Sequence, residues 1–188
     1  MKRFFLLLIL LSFPAISAIS QEKGTGLYFG PIASYGVDMY SVSFNHKAVS
    51  YESWSVGAVA LIDDRSGELG LTFNNAKRRD MDNTSMEYLD FYGVAIEPVM
   101  DFNTCSLVLK AGFFADYYLS NKIDGVEYSQ ALNRFQIGVP ISMGVQGRKW
   151  SICGNIRIPI YSLYKKAYRV DGKSDEHVSL TISAYLCF

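Results

Sequence analysis

The last ten residues, Ser179-Leu180-Thr181-Ile182-Ser183-Ala184-Tyr185-Leu186-Cys187-Phe188, constrain the fold more than any other stretch. Leu180, Ile182, Ala184, Leu186 and Phe188 make one wholly apolar row, and Ser179, Thr181, Ser183, Tyr185 and Cys187 make the other. A period of two belongs to a β-strand whose two faces meet different surroundings. The stretch stops on an aromatic with no polar tail, whereas termini usually fray into water. An apolar terminal strand of this kind has to pair along its edges, because an open edge is a template for aggregation.

The same alternation recurs along the chain. Leu27, Phe29, Ala33, Tyr35, Val37 and Met39 alternate with Tyr28, Gly30, Ser34, Gly36 and Asp38. From about Glu52 to Ile62, Trp54, Val56, Ala58, Ala60 and Ile62 share a face, and the cluster 63–67 is a turn signal. Leu69, Leu71 and Phe73 oppose Gly70, Thr72 and Asn74, and a polar loop is expected over 77–84. A fourth strand runs from Tyr88 to Met100; Asp90 and Glu97 differ in parity, which a bulge would explain. After a turn at 101–103, the run from Cys105 to Leu119 puts Leu107, Leu109, Ala111 and Phe113 opposite Ser106, Lys110, Phe114 and Asp116. Residues 120–131 read as a loop. Phe135, Ile137, Val139, Ile141, Met143 and Val145 form the clearest interior row, the chain turns at 147–149, and Trp150, Ile152, Ile156, Ile158 and Ile160 form the next. A last loop is expected over 164–176.

These segments make eight strands, an even number. The connections after the first, third, fifth and seventh are long and polar, and the others are short. Transmembrane barrels have this asymmetry, and their strands alternate an apolar outer row with a polar inner one. Trp54, Trp150, Phe188 and several tyrosines lie near strand ends, where aromatic girdles sit. The fold class expected is therefore an all-β, eight-stranded antiparallel transmembrane β-barrel with up-and-down meander order.

The chain's beginning fits export. Met1-Lys2-Arg3 is basic, residues 4–13 are apolar, and Ala18 and Ser20 stand at −3 and −1 of a cut before Gln21. Residues 1–20 read as a cleaved signal peptide, too short in their apolar run for a spanning anchor, and residues 21–188 as one barrel domain. Removing Lys2 and Arg3 leaves 16 of the 18 basic residues against 18 acidic ones, a formal charge of −2, so no nucleic-acid partner is indicated.

Three segments carry a family resemblance: 107–120, a glycine-centred aromatic strand running into a loop; Phe135-Gln136-Ile137-Gly138-Val139-Pro140-Ile141-Ser142-Met143-Gly144-Val145, a double-glycine strand; and the terminal strand. Together they resemble the outer-membrane β-barrel family of Bacteroidota that includes PorT-like proteins. The match to that family's fourth strand is looser at Tyr88-Leu89-Asp90-Phe91, with the proline standing later, at Pro98. The resemblance implies fold and location: a cell-envelope barrel of the outer membrane, termini in the periplasm. It implies no catalytic residue. In such barrels the aromatic terminal strand looks like an assembly signal, which here would be Leu180, Ile182, Ala184, Leu186 and Phe188, read by the barrel-assembly machinery.

The remaining signals are sparser. Cys153 and Cys187 share the predicted inward face near one end, a candidate disulfide in an oxidising compartment, and Cys105 has the opposite parity. Lys77, Arg78, Arg79, Lys165, Lys166 and Arg169 are candidate contacts for lipopolysaccharide phosphates, although charge runs near turns are ordinary solvated loops. His46 near Ser43 and Ser50, and His177 near Ser174 and Asp175, are what a lipid A-modifying enzyme would require at the rim; short-range Ser, Asp and His in polar loops are mostly accidental. Isolated histidines and singleton cysteines lack metal-ligand spacing, and no cofactor is expected. The lumen charges expected are Lys110, Asp116 and Arg157, with Asp38, Asp90 and Asp116 as partners for the two cations. With Phe114, Tyr118, Gln136 and Tyr161 they would fill an eight-stranded barrel. The function expected is a structural, binding or envelope-accessory barrel, with outer-membrane lipid and an envelope protein as partners and no open pore. The alternatives are the lipid A-modifying enzyme and a soluble, exported, lipocalin-like barrel.

Overall fold

A computed structural model describes residues 26–41, 48–62, 66–78, 81, 83–160, 162–165, 167 and 176–188. The leader at 1–20, His46, Arg79, Tyr161, Lys166, Arg169, Ser174 and Asp175 lie outside the described residues. The strands are β1 (Tyr28–Ser41), β2 (Ala48–Ile62), β3 (Gly67–Arg78), β4 (Ser85–Asp101), β5 (Ser106–Ile123), a two-residue β6 (Val126–Glu127), β7 (Phe135–Gln146), β8 (Trp150–Pro159) and β9 (Glu176–Leu186). All pairings are antiparallel. Neighbours follow chain order from β1 to β5, then β7, β8 and β9, and β9 pairs back onto β1. The ring is a closed eight-stranded antiparallel barrel, with β6 only a flap on the Ile123 end of β5.

Closure follows from the sequence period. Tyr35 pairs with Trp54 on one side and Ile182 on the other, all three exposed, while Ser34 pairs with Ser55 and Ser183 across the inner face. Alternation in one strand thus meets alternation of the same phase in the next, and a one-residue slip would invert a whole strand. Close approach inside requires residues without a side chain: a Cβ on Gly70 would lie 2.1 Å from the Tyr92 ring, which covers that glycine. One on Gly112 would lie 2.0 Å from the Gly93 carbonyl oxygen.

Several expected boundaries move. Strand β5 runs on to Ile123 and folds back at once, so 120–131 is not a plain loop. Asp124 and Gly125 both have positive φ, 50° and 80°, the two-residue turn that Asp-Gly favours, and Ile123 pairs with Val126 across it. A 3-10 turn at Ser129–Ala131 follows. Lys77 and Arg78 belong to β3, since Lys77 pairs with Ser85 and the Arg78 amide donates to the Thr84 carbonyl. The final strand starts earlier than expected, at Glu176, and its ladder ends at Leu186. Cys187 and Phe188 stay fixed by their amides, which donate to the carbonyls of Lys149 and Phe29. In β4 the register shifts fall at Glu87/Tyr88 and Pro98/Met100, so the stretch between is regular, with Asp90 inward and Glu97 outward.

The strand ends at Ser41, Ala48, Arg78, Ser85, Ile123, Phe135, Pro159 and Glu176 lie at one end of the barrel. The strand ends at Ile62, Gly67, Asp101, Ser106, Gln146 and Trp150, with the turns at 102–105 and 147–149, lie at the other, as do Gly26 and Phe188.

Candidate functional site

The interior is built from the inward rows, and its middle layer is charged. Lys110, on β5, is 2% exposed; its Nζ donates to Glu68 at 2.8 Å and to Ser151 Oγ at 3.1 Å, and lies 5.0 Å from the Tyr185 ring centre. Arg157, on β8, donates from Nη2 to Asp90 at 2.7 Å and to Asp116 at 2.8 Å, with its guanidinium 4.0 Å from the Phe114 ring centre. Asp90 and Asp116 are direct cross-strand partners, so both carboxylates meet one nitrogen. Tyr118 donates to Gln136, and Tyr88 to Asp38 at 3.5 Å. Unpaired charges here would be costly, and each cation is held by a carboxylate and backed by a ring.

The expected partner set needs one correction. Arg157 takes Asp90 and Asp116, but Lys110 takes Glu68, which sequence reasoning passed over because it abuts the turn at 63–67. Its parity was the available signal: Glu68 shares the inward row of Gly70 and Thr72.

Buried apolar clusters flank this polar middle on both sides. Towards the short turns, Ile32, Val59, Leu61, Ile96, Val108, Cys153, Tyr185 and Cys187 pack together. Towards the long connections, Tyr51, Ala76, Met86, Tyr88 and Tyr118 meet Leu132 and Leu163, both fully buried. Those two leucines come from separate connections that clasp each other over the mouth. Leu132 bridges Tyr164, the Asn133 amide donates to Leu163, and the Lys165 amide to Ala131. Asn133 Nδ2 donates to Ser162 at 2.8 Å. Glu127 locks the base of this lid by accepting from the amides of Asn121 and Ser129 and from the Ser129 hydroxyl. Between these layers is a cavity of about 60 Å³, walled largely by serine, threonine and asparagine.

The outer wall has the reverse character. Val37, Trp54, Val56, Leu71, Phe91, Phe113, Ile137, Val139, Ile141, Ile152, Ile156, Ile158 and Ile182 are all exposed. The five residues of the expected assembly signal lie in this belt, with Ile182 66% and Phe188 65% exposed. From Leu107 to Tyr117 the outward row of β5 covers ten residue steps, roughly 25 Å along the barrel axis at the usual strand rise and tilt.

The other expected sites are dispersed. Cys153 and Cys187 are buried free thiols rather than a disulfide. Cys153 pairs with Ser183, four residues from Cys187, which is about 13 Å along a strand and beyond the roughly 7 Å a disulfide tolerates. His177 is not in a loop: it is a buried residue of β9, in the row of Ser179. Ser50 is exposed at the start of β2. Lys77 is exposed and Arg78 half-buried at the C-terminal end of β3, and Lys165 Nζ donates to the Gln130 carbonyl at 2.7 Å. Among the described residues no group of three or more His, Cys, Asp or Glu is placed to hold a metal ion.

No protein-family model matches the chain, and no curated protein matches it. Among solved structures it is similar to Neisserial surface protein A (NspA), with a TM-score of 0.57 and 16% identity over 88% of this chain and 100% of that one. The fold is that of the small outer-membrane β-barrels. It also aligns with Ail, the attachment invasion locus protein of Yersinia pestis, at a TM-score of 0.46 and 10% identity over 86% of this chain and 98% of that one.

Proposed function

We propose that this protein is a small, sealed β-barrel of the outer membrane that serves a structural or binding role in the cell envelope, neither a diffusion pore nor an enzyme. The observation that carries this reading is the inversion of the barrel: apolar residues stand exposed on the wall while the ion pairs are inside. Soluble monomers rarely expose contiguous apolar surface of more than a few hundred Å². A soluble lipocalin-like carrier would need the opposite arrangement, an apolar cavity and a polar wall. The belt, roughly 25 Å high at the usual strand rise and tilt, fits the hydrocarbon layer of a lipid bilayer.

The long connections are read as outward and the termini as periplasmic, because transmembrane barrels keep their short turns on the periplasmic side. Function would then reside in the lid and long connections, which present Lys77, Arg78 and Lys165 near the outer rim for lipopolysaccharide phosphates. The terminal row from Leu180 to Phe188 would be what the barrel-assembly machinery engages, and an envelope or secretion protein the partner at the loops. The PorT-like resemblance is the narrowest form of this reading; its three segments fall on β5, β7 and β9, each within the wall.

Fractionation of cells expressing the full chain tests the reading. It predicts protein that stays in the outer membrane after a high-salt wash, with heat-modifiable migration in gels. Release into the soluble periplasmic fraction would overturn it.

A further inference from the structure

On the outer wall, β3, β4 and β5 stack cross-strand rows whose character changes towards the end where β4 begins. Phe73, Leu89 and Tyr117 make an apolar row across the three strands. Phe91 and Phe113 lie below it, with ring centres 6.0 Å apart. Asn75, Glu87 and Ser120 make a polar row above it. The last row is Lys77, Ser85 and Lys122, a lysine on either side of a serine. A bulge places the second lysine there. Glu87 pairs with Ser120 and Tyr88 with Tyr118, so Leu119 is an extra residue in β5. Before it the inward residues of β5 have even numbers, and after it Lys122 faces out, the re-aiming that a bulge permits.

Lys77 and Lys122 are both exposed, and neither has an ion pair or a hydrogen bond among the described residues. The carboxylates next to them in register serve other donors. Glu52, the cross-strand partner of Lys77, accepts from the Tyr35 hydroxyl. Glu127, the partner of Lys122, accepts from the amides of Asn121 and Ser129 and the hydroxyls of Ser120 and Ser129. Two unanswered ammonium groups therefore stand on strands β3 and β5, roughly 10 Å apart at two strand spacings. They lie roughly 13 Å along the strands beyond the Phe73 row, four residue steps at the usual rise.

The order of the rows selects the partner. Cations above a polar band above apolar side chains match an amphiphile with an anionic polar head and hydrocarbon chains. A free anion would use the lysines and leave the apolar rows uncovered. A single phosphate shared by both lysines would sit over Ser85, beside the Glu87 carboxylate; two phosphates held apart avoid that repulsion. We propose that this face of β3–β5 docks a bis-phosphorylated, acylated glycolipid, the lipid A part of lipopolysaccharide. One phosphate meets Lys77 and the other Lys122, the sugars cover the row of Asn75, Glu87 and Ser120, and acyl chains lie along Phe73, Leu89 and Tyr117. The inference rests on the outer-membrane reading with the Ser85 end outward, and it narrows the lipid contacts to one sector of the wall. Lys165, which already donates to the Gln130 carbonyl, has no part in it.

The full chain is purified in a nonionic detergent and titrated with diphosphoryl lipid A, monophosphoryl lipid A or phosphatidylglycerol, and retained lipid is counted by native mass spectrometry. The inference expects one diphosphoryl lipid A per barrel, held about tenfold more tightly than either lipid with a single phosphate, as one further charge-assisted contact supplies. Equal retention of the three lipids by the unmodified protein would overturn it, and this arm needs no variant. Lys77→Gln and Lys122→Gln, both at exposed positions, should each remove the advantage of the second phosphate while keeping heat-modifiable migration. Undiminished preference in the double variant would overturn the site. Arg148→Gln, exposed at the opposite end of the barrel, should leave the preference unchanged; an equal loss there would mean that overall charge is read, and would also overturn it. Fractionation keeps the two readings apart: a protein that stays in the outer membrane yet shows no preference refutes this site alone.

Discussion

Arg157→Met is the perturbation that most sharply separates a dry lumen from a wet one. The guanidinium donates to Asp90 at 2.7 Å and to Asp116 at 2.8 Å, and the three side chains are 12%, 7% and 2% exposed. Methionine removes the cation that lies over the Phe114 ring and strands two carboxylates. Breaking a buried pair by removing one partner costs about 3–5 kcal/mol, whereas a solvated pair is worth about 0–1 kcal/mol. With two carboxylates on one nitrogen, the upper part of the first range is expected. The triple variant Asp90→Asn, Asp116→Asn, Arg157→Met carries no stranded charge and should recover most of the loss, since well-packed neutral replacements of buried ion groups are often nearly neutral. The assay is urea unfolding and refolding in lipid vesicles, followed by the fluorescence of Trp54 and Trp150. If Arg157→Met unfolds within about 1 kcal/mol of the unmodified protein, the pair is solvated and the lumen is open to water. If the triple variant is no better than the single one, the charges are not the cause of the loss.

Other outcomes follow from the wall and its ends. Deleting Phe188, whose amide is bonded to Phe29 at the β9–β1 seam, should sharply lower membrane insertion; unchanged levels with heat-modifiable migration would refute the assembly role. Ile182→Arg places a charge in the belt and should cost about 2–4 kcal/mol near the bilayer midplane, falling towards zero in the polar row at Ser183→Arg only if that side chain reaches water. Gly112→Ala, whose Cβ would meet a backbone oxygen at 2.0 Å, should destabilise by roughly 1–3 kcal/mol, while Gly154→Ala, with its nearest atom at 3.8 Å, should change stability little. Mass spectrometry of unreduced protein should find Cys153 and Cys187 as thiols that alkylate fully only after unfolding; a mass lower by two hydrogens would contradict the observed register.

Alternation made the wall legible because each strand repeats one rule, apolar residues outward, and pairing preserves its phase. That rule placed Lys110, Asp116 and Arg157 inside and Leu180 to Phe188 outside. It also contained Glu68, but parity is hard to read beside a turn cluster, where the period has only just begun. The Asp124-Gly125 turn was likewise present as a two-residue hairpin signal between Ile123 and Val126, hidden by the polar residues around it. The lid was not legible. Leu132 and Leu163 belong to different connections and are buried by each other's neighbours, and no local period records such a contact. His177 was misplaced for a related reason: the polar stretch before it masks the start of β9, whose pairing to β1 extends to Glu176. The disulfide failed on register, since sharing a face does not fix depth along it.

In the proposed reading the lumen is closed by Leu132 and Leu163 at one end and by the layer that includes Leu61 and Cys187 at the other. Planar-bilayer recording from purified, refolded protein tests it most directly. A closed lumen should give no steady single-channel conductance. A steady conductance that changes in Arg157→Ala would show that the lumen charges line a continuous water path, and would contradict the sealed barrel.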